Sequence, residues 1–487
     1  MKRSAKSTKN QAVKSKASSQ SNVKVSSERI VKKRATPKKP SKKTNPNGKR
    51  AATEHPSTKS VEAIKDIDRS AVLVFSNLEK SEALIVNKPF RIERILTADE
   101  VADEYFARKD ELDKYFEKAS TALKRFWRGL KKSFDYKSGH ITGASVRFRT
   151  KYGQVVSPLK VVLAINVARK LVSKEIADTK LTEIKGSYGG FEVKVLEGAF
   201  EFIQSSPKAN FLRGLFAPSN PLSFSEDVVG GVPVCPPSSP DDYGTLGVVF
   251  SFASQKFRGF TCQHVTSGSL RIDQRGPDVG GLPTLRPSGE VDTANTFLDE
   301  HTHVGVTETI DASVIELTKV GPLAPGLKYP PPPGAWIRGI TQPSGTTTAV
   351  PLYFSAERAS SELRRHTIWK FGATTGTVLK GRFDNYVNLE YDVQGRKCIN
   401  NFTVKHEKDN QIFALPGDSG SVLALDAFVG GSRAFVAIGI LFAQIVGSSN
   451  VGLACNISSV LDKVKAVPKN RMVKLADMDT REWKVIS

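Results

Sequence analysis

Beyond Tyr243 the chain breaks into short apolar runs at fairly regular spacing: Leu246 to Phe252, Ala312 to Leu317, Ala335 to Ile340, Thr367 to Phe371, Val387 to Val393, Ser421 to Leu425, Phe435 to Phe442 and Val451 to Asn456. Turn residues separate them. Runs this short cannot bury a helical face, so roughly 225 residues of the pattern predict an all-β sandwich or barrel. Tyr329-Pro330-Pro331-Pro332-Pro333-Gly334 is expected to be an extended surface loop, because proline cannot donate to a strand ladder.

The 487 residues leave room for more than one domain. Residues 1 to 60 concentrate charge, holding +16 of the chain's net +23 with almost no large apolar side chains. Ordering them would cost backbone entropy without compensating burial, so a disordered basic tail is expected. Within it Lys32, Lys33, Arg34, Lys38, Lys39, Lys42 and Lys43 form the clusters suited to nuclear import or to nucleic-acid phosphates without sequence preference. A merely solvated tail is the alternative.

Residues 65 to 204 read as an α+β region. Thr97-Ala98-Asp99-Glu100 is a capping-box pattern. Val101, Tyr105, Leu112, Phe116, Ala119, Leu123, Phe126 and Leu130 then predict an amphipathic helix or helical hairpin within 97 to 135. Residues 141 to 204 predict a small α/β module, with strands at 145–149, 161–167 and 191–196 and a short helix at 170–181. Residues 205 to 240, rich in Pro, Ser and Gly, are expected to be a linker, residues 241 to 466 the β domain, and 467 to 487 a C-terminal tail.

Four cysteines with no CxxC pair exclude a disulfide-built miniprotein and a Cys-rich zinc module, and no His, Cys and carboxylate set has ligand spacing. No metal and no cofactor are expected. The start Met1-Lys2-Arg3-Ser4-Ala5-Lys6 precedes no apolar stretch, and the most apolar run, 434 to 446, is broken by Gln444. The expectation is an intracellular protein, cytoplasmic or nuclear, with no membrane partner.

The segment richest in chemistry is Leu415-Pro416-Gly417-Asp418-Ser419-Gly420-Ser421. Flanking glycines permit a tight turn that exposes the Ser419 hydroxyl and aims the Gly417 and Ser419 amides at one point, an oxyanion hole beside a nucleophile. Serine needs a base within hydrogen-bonding reach, and His264 stands at the end of an apolar strand in Thr261-Cys262-Gln263-His264-Val265. The imidazole needs an acceptor in turn, and Asp311 opens the apolar strand Asp311-Ala312-Ser313-Val314.

In these segments and in the order His264, Asp311, Ser419, the chain resembles the trypsin/chymotrypsin-like serine peptidases over residues 228 to 466. Lys370-Phe371-Gly372-Ala373-Thr374-Thr375-Gly376-Thr377-Val378 is similar to a glycine-rich strand pair of bacterial and intracellular members. The resemblance implies two six-stranded antiparallel barrels with the three residues in the cleft between them. It implies endopeptidase chemistry through an acyl-enzyme, with a polypeptide as substrate. It also puts Phe413 at the base of the specificity pocket, where no carboxylate stands to hold Lys or Arg. Val228-Val229-Gly230-Gly231 resembles the new N-terminus of secreted members, whose amine pairs with the Asp before the nucleophile, here Asp418. The expectation is instead an uncut active chain in which Asp418 has another partner. Cys262 precedes His264 and Val265 follows it, so the family's disulfide beside the histidine does not carry over. Cys235, Cys262, Cys398 and Cys455 are expected to be small buried residues or free thiols. The reading from a different class is a catalytically idle scaffold on the same fold, or a viral or mobile-element nucleic-acid binder using the tail.

Overall fold

The computed structural model describes residues 93–133, 141–168, 184, 186–202, 230–252, 256–279, 282–317, 334–338, 349–375, 378–385, 387–408, 411–445, 448–465 and 467–486. Everything described belongs to the unit of residues 84–487. The basic tail, the 170–181 helix, most of the 205–240 linker and most of the polyproline loop lie outside the described residues.

Thr97 begins the first helix, α1 (Ala98–Ala107), through the expected capping box: the Glu100 amide donates to Thr97 Oγ1 and the Thr97 amide to Glu100 Oε2. A second helix, α2 (Lys109–Ser133), buries Leu112, Phe116, Ala119, Leu123, Phe126 and Leu130 on one stripe. The stripe packs on a sheet of β1 (Ile141–Phe148), β2 (Val161–Val167) and β3 (Phe191–Glu197), in which β2 pairs antiparallel to β1 and parallel to β3. A short strand, β4 (Phe200–Phe202), follows.

The first barrel holds β5 (Val232–Cys235), β6 (Gly244–Leu246), β7 (Val248–Ser251), β8 (Phe257–Thr261), β9 (Arg271–Val279), β10 (Leu282–His303) and β11 (Val306–Leu317). β6 and β7 are two halves of one strand either side of Gly247. The antiparallel ring runs β5, β6/β7, β8, β11, β10, β9 and back to β5. β12 (Gly334–Arg338) pairs with β7 and with β13 (Ala349–Ser355), which leads to the second barrel.

That barrel is built from β14 (Ile368–Phe371), β15 (Val378–Asn385), then, after the hairpin β16 (Val387–Val393) and β17 (Arg396–Ile399), from β18 (Phe402–His406), β19 (Val422–Val429), β20 (Ser432–Ile445) and β21 (Ser448–Asn456). Its ring runs β14, β15, β18, β21, β20, β19 and back to β14, all antiparallel. Both rings follow the strand order 1-2-3-6-5-4, so the β domain is two six-stranded antiparallel barrels preceded by an α+β region. Apolar side chains alternate into each ring, among them Val234, Leu246, Phe260, Ile272 and Val314 in the first and Ile368, Val404, Leu423, Val436 and Leu441 in the second.

Three boundaries differ from the sequence reading. The first barrel begins at Val232 rather than 241, because the four-residue strand β5 carries Pro233 and resembles linker. Residues 467–486 pack on the second barrel: β22 (Met472–Asp477) and β23 (Glu482–Val485) pair with β13 and β19, burying Val473 and Trp483. The α/β module is completed by the second barrel, since hairpin strand β16 pairs antiparallel with β1. No described helix is long and apolar enough to cross a membrane.

Candidate active site

His264 sits in a one-turn helix, α3 (Gln263–Thr266), that follows β8 at the third position of the first ring. Its turn is held by Thr266 Oγ1 donating to the Gln263 carbonyl and Ser267 Oγ to that of His264. Asp311 lies on β11, the neighbour of β8, and is fully buried. Its Oδ2 is 2.5 Å from His264 Nδ1, while its Oδ1 accepts the amides of Gln263 at 2.7 Å and His264 at 3.3 Å. Three donors therefore balance the desolvated carboxylate.

Ser419 comes from the other barrel, in the turn between β18 and β19, and its Oγ lies 2.8 Å from His264 Nε2. The Phe442 carbonyl, 3.1 Å from the same Oγ, offers the hydroxyl proton another acceptor. Gly417 adopts φ 99°, and a Cβ there would meet Thr374 Oγ1 at 2.1 Å, so only glycine fits this turn. The amides of Asp418, Gly420 and Ser421 donate to protein carbonyls, those of Leu415, Leu441 and Asp418. Those of Gly417 and Ser419, the two assigned to the oxyanion hole, have no acceptor among the described residues.

Asp418 is fully buried and ion-paired with Lys370, which is fully buried too. Lys370 projects from β14 into the second barrel and also donates to Thr375 Oγ1 at 3.2 Å. Desolvation pushes the Lys370 ammonium below its ordinary pKa, and Asp418 opposes that shift. The amides of Thr374 and Thr375, at 3.0 and 3.1 Å from Oδ1, and of Leu415, at 3.0 Å from Oδ2, complete the carboxylate's shell. Lys370 is thus the partner of Asp418. Sequence reasoning gave Lys370 no role, although Ile368 and Lys370 stand two apart in one strand and so face one side.

Thr245 ties the barrels together: its amide donates to the Ser419 carbonyl at 2.6 Å and its Oγ1 to the Gly417 carbonyl at 2.9 Å. Phe413 is wholly buried in the second barrel's core, with Lys370 Nζ 5.6 Å from its ring centre. The Lys32 to Lys43 clusters fall outside the described residues. Sequence spacing gave no hint that Cys262 joins His264 and Asp311, yet one donor atom of each falls within 4.8 Å of the others. The set suits hydrogen bonding better than a metal, because burial holds the Cys262 thiol well above its ordinary pKa, and His264 and Asp311 are bonded to each other. All four cysteines are buried and unpaired, and desolvation likewise raises the thiol of Cys235 to about 12.

The Ser419 hydroxyl is not exposed as the sequence reading expected: Ser419 is fully buried and His264 is 8% exposed. The cover is β4. It pairs antiparallel with the end of β20, matching Phe202 with Ala443, Glu201 with Gln444 and Phe200 with Ile445. The Phe202 ring lies 4.4 Å from the His264 ring, tilted by 33°. Nothing local to Phe200-Glu201-Phe202 announces a partner some 240 residues away.

No family model matches the chain, and no curated protein matches it in sequence. Among solved structures the chain is similar to a glutamic-acid-specific serine protease described as using a histidine triad in substrate binding, at 16% identity and TM-score 0.32, covering 48% of this chain and 96% of that one. A Nocardiopsis protease matches at 14% identity and TM-score 0.31 over 49% of this chain and 97% of its own. An alpha-lytic protease homolog matches at 15% and 0.29 over 48% and 96%. The β domain is chymotrypsin-like in fold, with the strand order 1-2-3-6-5-4 repeated in its two barrels.

Proposed function

We propose that the chain is a serine endopeptidase. The observation that carries this reading is the hydrogen-bonded line from Asp311 through His264 to Ser419, whose members come from different barrels. Ser419 Oγ attacks a peptide carbonyl carbon while His264 Nε2 takes its proton; the same proton passes to the leaving amine as the C–N bond breaks. Water, deprotonated by His264, then releases the acyl group and restores Ser419. Asp311 holds the imidazole and stabilises its protonated form. The amides of Gly417 and Ser419 face the oxyanion.

A fluorophosphonate probe tests the reading. Labelling is expected at Ser419 by peptide mass spectrometry, and Ser419→Ala should lose labelling and hydrolysis by about a thousandfold or more with an unchanged melting temperature. His264→Ala should lose nearly as much. Absence of labelling in both the wild type and Phe202→Ala, in which the ring over His264 is removed, would favour the idle scaffold.

A further inference from the structure

β4 belongs to neither barrel, yet it forms an added strand on β20 immediately beyond Phe442, whose carbonyl touches Ser419 Oγ. An extended segment laid on a free strand edge, with alternate side chains received by neighbours, is how proteins take up peptides by β-addition. Each side chain of β4 is received. Phe202 stacks on His264, Glu201 Oε1 accepts from Gln444 Nε2 at 3.0 Å, and Phe200 packs edge-on against Tyr391 at 4.4 Å. A polypeptide whose carbonyl is to reach Ser419 has to enter the space that Phe202 fills.

We infer that Phe200-Glu201-Phe202 is an internal substrate mimic, held in the peptide-binding edge of the site proposed above. The substrates are extended polypeptides that present an aromatic side chain opposite Ala443, and β4 competes with them. The inference rests on the endopeptidase reading for the word substrate, but the groove and its occupant are defined by the geometry alone.

Binding and chemistry are therefore measured separately. A fluorescent peptide of residues 198–203 is titrated by anisotropy into wild type and into Phe202→Ala, which vacates the space over His264. Phe202→Ala should bind it about tenfold more tightly or better, the scale on which one buried apolar side chain shifts a closed–open equilibrium. A peptide with alanine at the position of Phe202 should bind markedly less. Equal affinity of the two proteins, or indifference to the alanine, overturns the inference and leaves β4 as ordinary scaffold. Because peptide binding does not need a reactive serine, the fluorophosphonate arm speaks only to the endopeptidase reading. If the peptide discriminates as expected while Ser419 stays unlabelled in Phe202→Ala as well as in wild type, the groove stands and the enzyme does not.

Discussion

Lys370 and Asp418 are an ion pair with both ends fully desolvated, one residue from Ser419. Removing one partner of such a pair leaves an uncompensated buried charge, which costs about 3–5 kcal/mol. Lys370→Met is accordingly expected to lower stability on that scale in denaturant unfolding. On the proposed endopeptidase reading it should also depress kcat more than KM, since the Asp418 carboxylate accepts the Thr374, Thr375 and Leu415 amides around the turn that carries Gly417 and Ser419. Adding Asp418→Asn to Lys370→Met should recover part of the stability by discharging the orphan. No recovery would mean that the pair's hydrogen bonds, rather than its charge, hold the turn. At this scale the sequence was most legible where chemistry needs a local pattern: glycines around Ser419, and apolar strands leading to His264 and Asp311. It was least legible where a residue acts across the fold. Lys370, Thr245 and Phe202 take their meaning from partners 48, 172 and 241 positions away, which no local pattern encodes.

The hairpin of β16 and β17 interrupts the second barrel between its second and third strands and docks on β1. Its docking depends on close approach. A Cβ on Gly143 would meet the Tyr391 ring at 2.1 Å and the Glu390 carbonyl at 2.9 Å. Gly143→Ala is therefore expected to cost about 1–3 kcal/mol and to speed amide hydrogen exchange along β16, with β19 and β20 less affected. Uniform exchange changes across both barrels would mean that the hairpin does not move on its own. The sequence reading found β16 by its apolar alternation but not its destination. It missed β10 altogether, because that strand runs through Pro283, Pro287, Gly289 and an acidic, hydroxyl-rich stretch. A register shift between Asp292 and Thr296 breaks its alternation further.

Acid should act on the folded unit through His366. The ring is buried beside the 3₁₀ turn Ser361–Arg365, and burial, with Arg481, Arg382 and Arg365 around it, pushes its pKa down from 6.5 to about 4. Below the unfolded value the unfolded chain binds a proton that the folded one refuses. This group's stabilisation is thus complete above about pH 6.5 and is lost as pH falls toward 4. The denaturation midpoint should fall through that window, and His366→Gln should flatten the slope; an unchanged slope would place the acid sensitivity elsewhere.

The two barrels have a further consequence when the chain is considered as something made from one end. His264 and Asp311 are complete within the first ring, whereas Ser419 is set by the second, which closes only when β21 joins β18 to β20. During synthesis, about 140 residues, from the end of β11 at Leu317 to the end of β21 at Asn456, separate the placing of His264 and Asp311 from the placing of Ser419. By then β4 has long been made and waits to meet the strand edge as it forms. On the endopeptidase reading proposed above, a growing polypeptide is the most vulnerable substrate the chain could encounter, and this order of manufacture leaves the ribosome carrying a scissors whose second blade arrives last.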